Sequence, residues 1–130
     1  MSNQKQYWNG VEPIRAFLKG VTKTATGVVI SKEQTGPGNT VPVYGLPTAD
    51  KSVDAFVFEN TPLDGDGLYD LAPATPGTQI PLRVAAAVAV GDDLSVDATG
   101  RFIKATDGVV VAKAITSAAA EDEIIQAMVK

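Results

Sequence analysis

The C-terminal third of the chain constrains the fold most, because short apolar runs alternate with residues that favour tight turns. Leu94, Val96 and Ala98 alternate with polar residues, which is the period-2 pattern of a half-buried strand. Thr99-Gly100 then predicts a chain reversal, since glycine reaches positive φ without a Cβ clash. Three further strands are predicted at 101–105, 109–115 and 124–129.

Upstream, the same reasoning predicts strands at 26–32, 40–44, 53–59 and 79–90. Residues 61–78 contain three prolines and three glycines and predict a long loop. In 53–59, Phe56 and Phe58 share one face, while Ala55 and Val57 share the other. Together, these strands and turns predict an all-β fold of about eight or nine strands in antiparallel hairpins, which is a small antiparallel β-barrel or sandwich.

The run 79–90 predicts a long central strand that is apolar on both faces, which suits a strand covered on both sides. Val84, Val88 and Val90 cannot all face one core if the intervening alanines are buried in it too. We therefore expect these three valines to form an oligomer interface, and we expect a homotrimer. A core built mainly of Val and Ala buries little area per residue, which also favours association.

Composition excludes several function classes. The 130 residues suit one domain and include no cysteine and no histidine, so the usual nucleophile, general base and zinc ligands are missing. The net charge of −4 argues against nucleic-acid binding, and Lys19, Lys23 and Lys32 are the nearest approach to a basic patch. The longest apolar run, 84–90, is too short to span a membrane, and the N-terminus lacks the plan of a signal peptide.

Three acidic groups are candidates for reactive or metal sites. Asp64 and Asp66 have the spacing of calcium ligands, but Leu68 and Tyr69 break the rest of that pattern. Asp92, Asp93 and Asp97 do not form a facing carboxylate pair, and Asp92 is better explained as a turn residue. The acidic residues 121–123 predict a solvated turn. The sequence therefore predicts no catalytic residue, no metal site and no cofactor, and the protein is not expected to be an enzyme.

Residues 1–20 predict an extended N-terminal arm ahead of a β-rich domain at 21–130. Glycine and proline interrupt the segment, which leaves room for one helical turn at 14–18. Its apolar and basic side chains resemble a binding hot spot: Trp8, Ile14, Arg15, Phe17, Leu18 and Lys19. The alternative is that this segment folds onto its own domain, with Trp8 capping the core.

The C-terminal half, about 84–130, resembles a family of small tailed-phage capsid decoration proteins, also called cement proteins. The resemblance lies in Val90-Gly91-Asp92-Asp93-Leu94, the hairpin Thr99-Gly100-Arg101, the apolar run 109–114, and Ala118-Ala119-Ala120-Glu121 before the last strand. It implies a β-rich subunit, usually trimeric, on three-fold or quasi-three-fold axes of a capsid. It brings no catalytic residues.

These observations together predict a decoration protein that binds the major capsid protein as a trimer and stabilises the expanded shell. The predicted arm would supply the capsid contact, and the protein would be made in the host cytoplasm and reside on the virion surface. A head-fibre base or a tail accessory protein would share the composition. A carbohydrate-binding β-module using 61–78, with Tyr69 as its stacking residue, and a small hydrolase built on Asp64, Asp66 or Asp92 are the remaining alternatives.

Overall fold

A computed structural model describes residues 13–32, 41–63 and 68–130, and every regular element in these ranges is a β-strand. The prediction of an all-β fold is confirmed. The ten strands are β1 (Ile14–Lys19), β2 (Gly27–Ile30), β3 (Val43–Gly45), β4 (Ala55–Val57), β5 (Tyr69–Pro73), β6 (Gln79–Arg83), β7 (Asp93–Val96), β8 (Phe102–Lys104), β9 (Ala112–Ala114) and β10 (Ile124–Val129).

The first five strands form a closed barrel in the order β1-β3-β2-β4-β5, and pairing of β1 with β5 completes the ring. Four of the five pairings are antiparallel, as predicted. The β1–β3 pairing is parallel, with Phe17 opposite Val43 and Lys19 opposite Gly45. Parallel strands need a crossover connection, and here the crossover includes β2, so local hairpin signals could not predict this pair.

The prediction of an arm at 1–20 is wrong for residues 14–19. Residues 14–19 form β1, which has strand neighbours on both sides, rather than an arm with a helical turn. Side chains alternate between the two faces of β1, and Ala16 faces the barrel interior, where it is fully buried. Residues 1–12, including Trp8, lie outside the described residues.

The last five strands form an antiparallel sheet in the order β6-β10-β9-β7-β8. β10 lies inside it, pairing with β6 on one side and β9 on the other. A parallel bridge between Val84 and Phe102 joins the end of β6 to β8, so the two edges of this sheet meet. The described segments thus form a barrel and a curved sheet packed together.

The predicted strand at 79–90 is too long. β6 ends at Arg83, after which the backbone changes partners: Val84 N–H donates to Glu123, Ala85 N–H to Phe102, and Val88 bridges to Ala118. This change turns Val84 and Val88 into the core, where they are 0% and 5% exposed, while Val90 is 66% exposed. The prediction that these three valines share an interface face is therefore wrong for Val84 and Val88, which are buried within the single chain.

Two apolar clusters hold the fold together. The larger lies between the barrel and the sheet and is centred on residues such as Phe56, Leu94 and Phe102. The smaller fills the barrel: Ala16, Val28, Tyr44, Ala55, Val57 and Leu71. β4 serves both, because Phe56 and its neighbour Phe58 face the larger cluster while Ala55 and Val57 face the barrel interior. The predicted division of this strand into two faces is confirmed.

The predicted loop at 61–78 contains β5. Tyr69 and Leu71 are buried and Asp70 between them is exposed, a short period-2 signal that the surrounding prolines and glycines obscured. Pro73 at the end of β5 lies opposite Ala55 of β4. A strand of five residues thus closes the barrel where composition predicted irregular chain.

Candidate interaction surface

β1 presents two chemically different faces. Ile14 and Leu18 pack against the buried Ala16 side of the strand and belong to the barrel interior. Arg15, Phe17 and Lys19 alternate with them and point to the outside of the barrel. The residues predicted to bind the capsid are therefore divided: Ile14 and Leu18 stabilise the barrel, and only Arg15, Phe17 and Lys19 are placed to meet a partner. Trp8, from the same predicted set, is among the residues that are not described.

Arg15 lies beside β5 on this outer face. Its guanidinium is 3.6 Å from the carboxylate of Asp70, the residue directly opposite it in the strand pair. Both side chains are more than half exposed, at 66% and 55%. An ion pair so open to water contributes little to stability and leaves both groups available to other ligands.

A shallow depression of about 400 Å³ lies on the outside of the barrel, across β1, β3 and β2. We call it the barrel groove and define it by its lining residues: Lys19, Val29, Ser31, Lys32, Gly45 and Leu46. Its floor has a simple origin, since Gly45 lies opposite Lys19 on one side and opposite Val29 on the other. The middle residue of the row has no side chain, and the flanking side chains form walls.

The groove combines apolar surface with positive charge. Leu46 is 43% exposed, although it is a large aliphatic residue, and it lines the groove together with Val29. Lys19 and Lys32 are exposed, and among the described residues the lining of the groove includes no carboxylate. Sequence reasoning placed both lysines in its weak basic patch. It missed the groove, because only the pairing of β1 with β3 and β2 brings Gly45 between them.

The third lysine of that patch has a different role. Lys23 lies 3.7 Å from the carboxylate of Asp122, at the junction between barrel and sheet. Arg101 also bonds Asp122, at 3.2 Å, and Glu121, at 3.1 Å. Partial burial opposes the charge of Arg101, but its hydrogen bonds to Glu121 and Asp122 outweigh this and raise its pKa above the ordinary value. The acidic turn predicted to be merely solvated is thus held by cations.

Arg83, at the end of β6, also forms hydrogen bonds at the junction between barrel and sheet. Its Nε donates to the carbonyl of Thr24 at 2.9 Å, and its Nη1 donates to the carbonyl of Asp122 at 3.2 Å. Nearby, Gly27 N–H donates to the carbonyl of Gly100 at 2.8 Å, joining β2 directly to the β7–β8 hairpin. These contacts fix the barrel on the sheet and are structural rather than reactive.

Two of the acidic residues that were candidates for chemistry, Asp92 and Asp97, act in turns. The Asp92 carboxylate accepts a hydrogen bond from Ala89 N–H at 2.8 Å, which confirms its predicted turn role. The Asp97 carboxylate accepts from the backbone N–H groups of Thr99 and Arg101, at 2.9 and 3.1 Å. Within the described ranges, no three acidic side chains come together as a metal site would require. Asp64 and Asp66 lie outside the described residues.

A second exposed surface lies at the sheet end of the molecule. The segments around the Val88–Ala118 bridge expose Val90 and a set of small side chains: Ala86, Ala87, Ala89, Ala119 and Ala120.

Of the described residues, none belongs to a helix long and apolar enough to cross a bilayer.

The arrangement of barrel and sheet has a counterpart among solved structures. The head fiber gp8.5 N base of bacteriophage phi29 matches with a TM-score of 0.70, over 91% of this chain and 92% of that chain. This chain has the fold of a phage head-fiber base. The two sequences are 15% identical, so the likeness establishes the fold. No family model matches the chain, and no curated protein matches its sequence.

Proposed function

We propose that this protein is a structural subunit of a phage virion that sits on the outside of the head. The observation that carries the proposal is the fold shared with a phage head-fiber base over nearly the full length of both chains. A likeness that covers barrel and sheet together is more specific than a shared small barrel would be. The absence of histidine and cysteine from the sequence fits a binding role without chemistry.

The surface of the barrel supports an attachment role. Arg15, Phe17 and Lys19 form a mixed basic and aromatic stripe on the outer face of β1, and Arg and aromatic residues are enriched at protein interfaces. The stripe lies on a rigid strand with neighbours on both sides. A partner bound there meets a preorganised surface, which lowers the entropy lost on binding.

Within this role the chain would act as the base of a head fibre or as a cement subunit. The cement function is favoured by the C-terminal resemblance to decoration proteins, from Val90-Gly91-Asp92 to the last strand. A subunit that binds only the expanded shell stabilises that shell by mass action and needs no active site. The carbohydrate-binding alternative loses its stacking residue, because Tyr69 is only 9% exposed.

The test is direct localisation in the virus that encodes the chain. Mass spectrometry of purified particles should detect the protein, and antibody-gold labelling should place it on the outer head surface. Heads purified from a deletion mutant then separate the two roles. Loss of projecting fibres with unchanged thermal stability indicates a fibre base, whereas a lower disassembly temperature indicates cement. Absence from particles, or labelling confined to the tail, would contradict the proposal.

We also propose that the protein acts as a homotrimer. Three weak footprints bound at once raise the apparent affinity by about 10² to 10⁴, and closed symmetry suits a lattice with three-fold axes. Since Val84 and Val88 are buried, Val90 is the accessible residue of the predicted interface, and exposed alanines lie around it. Analytical ultracentrifugation of wild type and Val90→Asp checks this: a trimer that dissociates in the variant is expected, and a monomeric wild type that binds heads singly would exclude it.

A further inference from the structure

A row of exposed side chains crosses the outer face of the C-terminal sheet. Residues directly opposite each other in neighbouring strands project to the same face. Met128 of β10 lies opposite Gln79 of β6 on one side and opposite Lys113 of β9 on the other, and Lys113 in turn lies opposite Asp93 of β7. All four are exposed, and the residue that follows each of them belongs to the larger core cluster. We call these four residues the sheet row.

The two charged members of the sheet row lie next to each other and have opposite signs. Asp93 and Lys113 are on neighbouring strands, which are about 4.8 Å apart. In the part of the chain that the structure describes, neither side chain has a salt-bridge partner. The row is therefore neutral, although the whole chain carries a net charge of −4. Acidic copies of the chain can approach each other there with less repulsion than elsewhere.

The order of side chains across the sheet is self-complementary. Beyond Asp93, the next strand position is Ala105, whose N–H donates to the Asp93 carbonyl at 2.7 Å. A two-fold axis along the strands, midway between Lys113 and Asp93, brings a second copy face to face with the first. It places Asp93 of the second copy over Lys113, and Lys113 of the second copy over Asp93. Met128 then lies over Ala105 of the second copy, so apolar surface meets apolar surface.

The charges gain more from this pairing than a single exposed pair does. Each of the four charges has an opposite charge beside it in its own sheet and another across the axis. An isolated exposed ion pair contributes little, whereas several charges in a network contribute more. Met128, which is 43% exposed, adds a flexible apolar side chain of a kind that is common at binding surfaces.

We propose that the sheet row is a contact between two copies of this chain, related by a two-fold axis that passes between Lys113 and Asp93. A two-fold contact uses the same surface on both subunits, and the order of charges in the row fits that requirement. The inference goes beyond the proposed function, because it needs a second copy and no shell. It also differs from the three-fold association proposed around Val90, because a two-fold axis joins the chains in pairs.

Complementary charge reversals test the pairing. In Asp93→Lys both charged positions of the row are basic, and in Lys113→Asp both are acidic, so copies of either variant repel each other across the axis. Sedimentation of the full chain over a range of concentrations measures association, and the mass of the species formed distinguishes pairs from threes. Each variant alone should pair at least about tenfold more weakly than wild type. An equimolar mixture of the two should pair again, because a basic row then faces an acidic one.

The matched control is Glu59→Lys. Glu59 is an exposed acid beyond β4 of the barrel, so the change in charge equals that of Asp93→Lys but lies outside the row. This control should pair like wild type. All the substituted positions are exposed, and a circular dichroism melt of each variant separates lost pairing from lost folding. Recovery in the mixture provides a second separation, since mixing does not restore a misfolded chain.

Carbodiimide cross-linking identifies the neighbour of each charge. The reagent joins a lysine amine to a carboxylate as an amide, with loss of water, and peptide mass spectrometry locates the link. Mixing wild type labelled with heavy nitrogen and unlabelled wild type distinguishes links between copies, which join one peptide of each kind. Links of mixed label between Lys113 and Asp93 are expected. Links between these residues that are only of one label would overturn the inference.

The remaining outcomes are equally decisive. A wild type that forms no pairs, folded charge variants that pair as well as wild type, or a mixture that does not recover would each overturn the inference. None of these results bears on the proposed function, which is tested by locating the protein on the particle.

Discussion

The barrel and the C-terminal sheet differ in how they are stabilised. Six buried residues fill the barrel, whereas eighteen form the cluster under the sheet, among the described residues. The barrel contributes four residues to that larger cluster: Val53, Phe56, Phe58 and Ala72. Much of the burial available to the barrel strands therefore comes from packing on the sheet, and we infer that the sheet supports the barrel more than the reverse.

The larger core and the candidate attachment surface lie on different halves of the molecule. The candidate binding features on β1 and the barrel groove lie on the half with the smaller core, while the sheet supplies the larger core. This separation lets the outer surface of the barrel vary without disturbing the packing that stabilises the molecule.

Matched leucine truncations measure the two cores. Leu94 in the larger cluster and Leu71 in the barrel are both fully buried. Leu→Ala substitutions in cores cost about 2–5 kcal/mol, depending on how well the site collapses. We expect Leu94→Ala in the upper half of that range, and Leu71→Ala in the lower half because the barrel interior is lined by partly buried side chains that can adjust. Urea unfolding followed by circular dichroism measures both, and equal losses would refute the proposed asymmetry.

Glycine substitutions measure the junction between the halves. Gly91 and Gly100 have nearly the same φ, +87° and +88°, but a Cβ at Gly91 would meet nothing within 4 Å. A Cβ at Gly100 would lie 2.8 Å from the carbonyl oxygen of Gly27. Gly91→Ala should lower the free energy of unfolding by about 1–2 kcal/mol, because the added Cβ is strained in the left-handed backbone conformation.

Gly100→Ala should lower the free energy of unfolding by that amount and by about 1–3 kcal/mol more, because its Cβ overpacks the junction. Chemical denaturation of the two variants side by side gives the difference. Identical losses would mean that the hairpin moves away from β2 at little cost, and that the two halves are less tightly joined than the structure indicates.

Alkaline pH tests the barrel core specifically. Burial, and secondly the nearby Asp54 carboxylate, raise the pKa of the Tyr44 phenol above its ordinary value of 10.0. The neutral phenol is favoured by folding, so its contribution is fully present below the unfolded-state pKa and is lost as pH rises through the folded-state pKa. The larger cluster contains no titratable side chain, so this alkaline loss belongs to the barrel.

Tyr44→Phe should therefore lose less unfolding free energy than wild type between about pH 9 and pH 11. Asp54→Asn should reduce the loss partly, because it removes the second cause of the raised pKa and retains an oxygen that can accept from Ile30 N–H. Superimposable pH profiles for wild type and Tyr44→Phe would show that the phenol does not sense the barrel interior.

Ion pairs give the smallest expected effect. Arg101 is 16% exposed and bonds two carboxylates, whereas Arg15 is 66% exposed and contacts one. Arg15→Ala should change the free energy of unfolding by well under 1 kcal/mol, as exposed pairs generally do. Arg101→Lys should cost more, up to about 1 kcal/mol, because an ammonium cannot reproduce the forked geometry. Measuring both at low and high salt checks this, and an equal or larger loss for Arg15 would reverse the assignment.

Local pattern was enough for much of the sheet. The predicted strand at 124–129 is β10 with its observed bounds, and Thr99-Gly100 predicted the hairpin, where Gly100 has a φ of +88°. The two faces of β4 were also predicted correctly, because successive side chains of a strand point to opposite faces of the sheet. These features depend on neighbouring residues, so the sequence carries them directly.

The sequence did not predict the features that depend on distant backbone partners. Composition predicted a strand through 79–90, yet β6 ends at Arg83, where the chain exchanges pairing with β10 for bridges to Phe102 and Ala118. The apolar pattern is the same in either case. Only the tertiary partners decide which valines are buried, and this is why Val84 and Val88 were assigned to an interface.

The barrel shows the same division. The sequence by itself determined an all-β chain with short strands, glycine turns and no cysteine or histidine. The tertiary structure alone decided that β1 pairs in parallel with β3. This pairing made residues 14–19 of the predicted arm a barrel strand and placed Gly45 between Lys19 and Val29. Parallel pairing joins segments through a long crossover, and no local signal encodes which strand will be the neighbour. The groove is a product of that pairing.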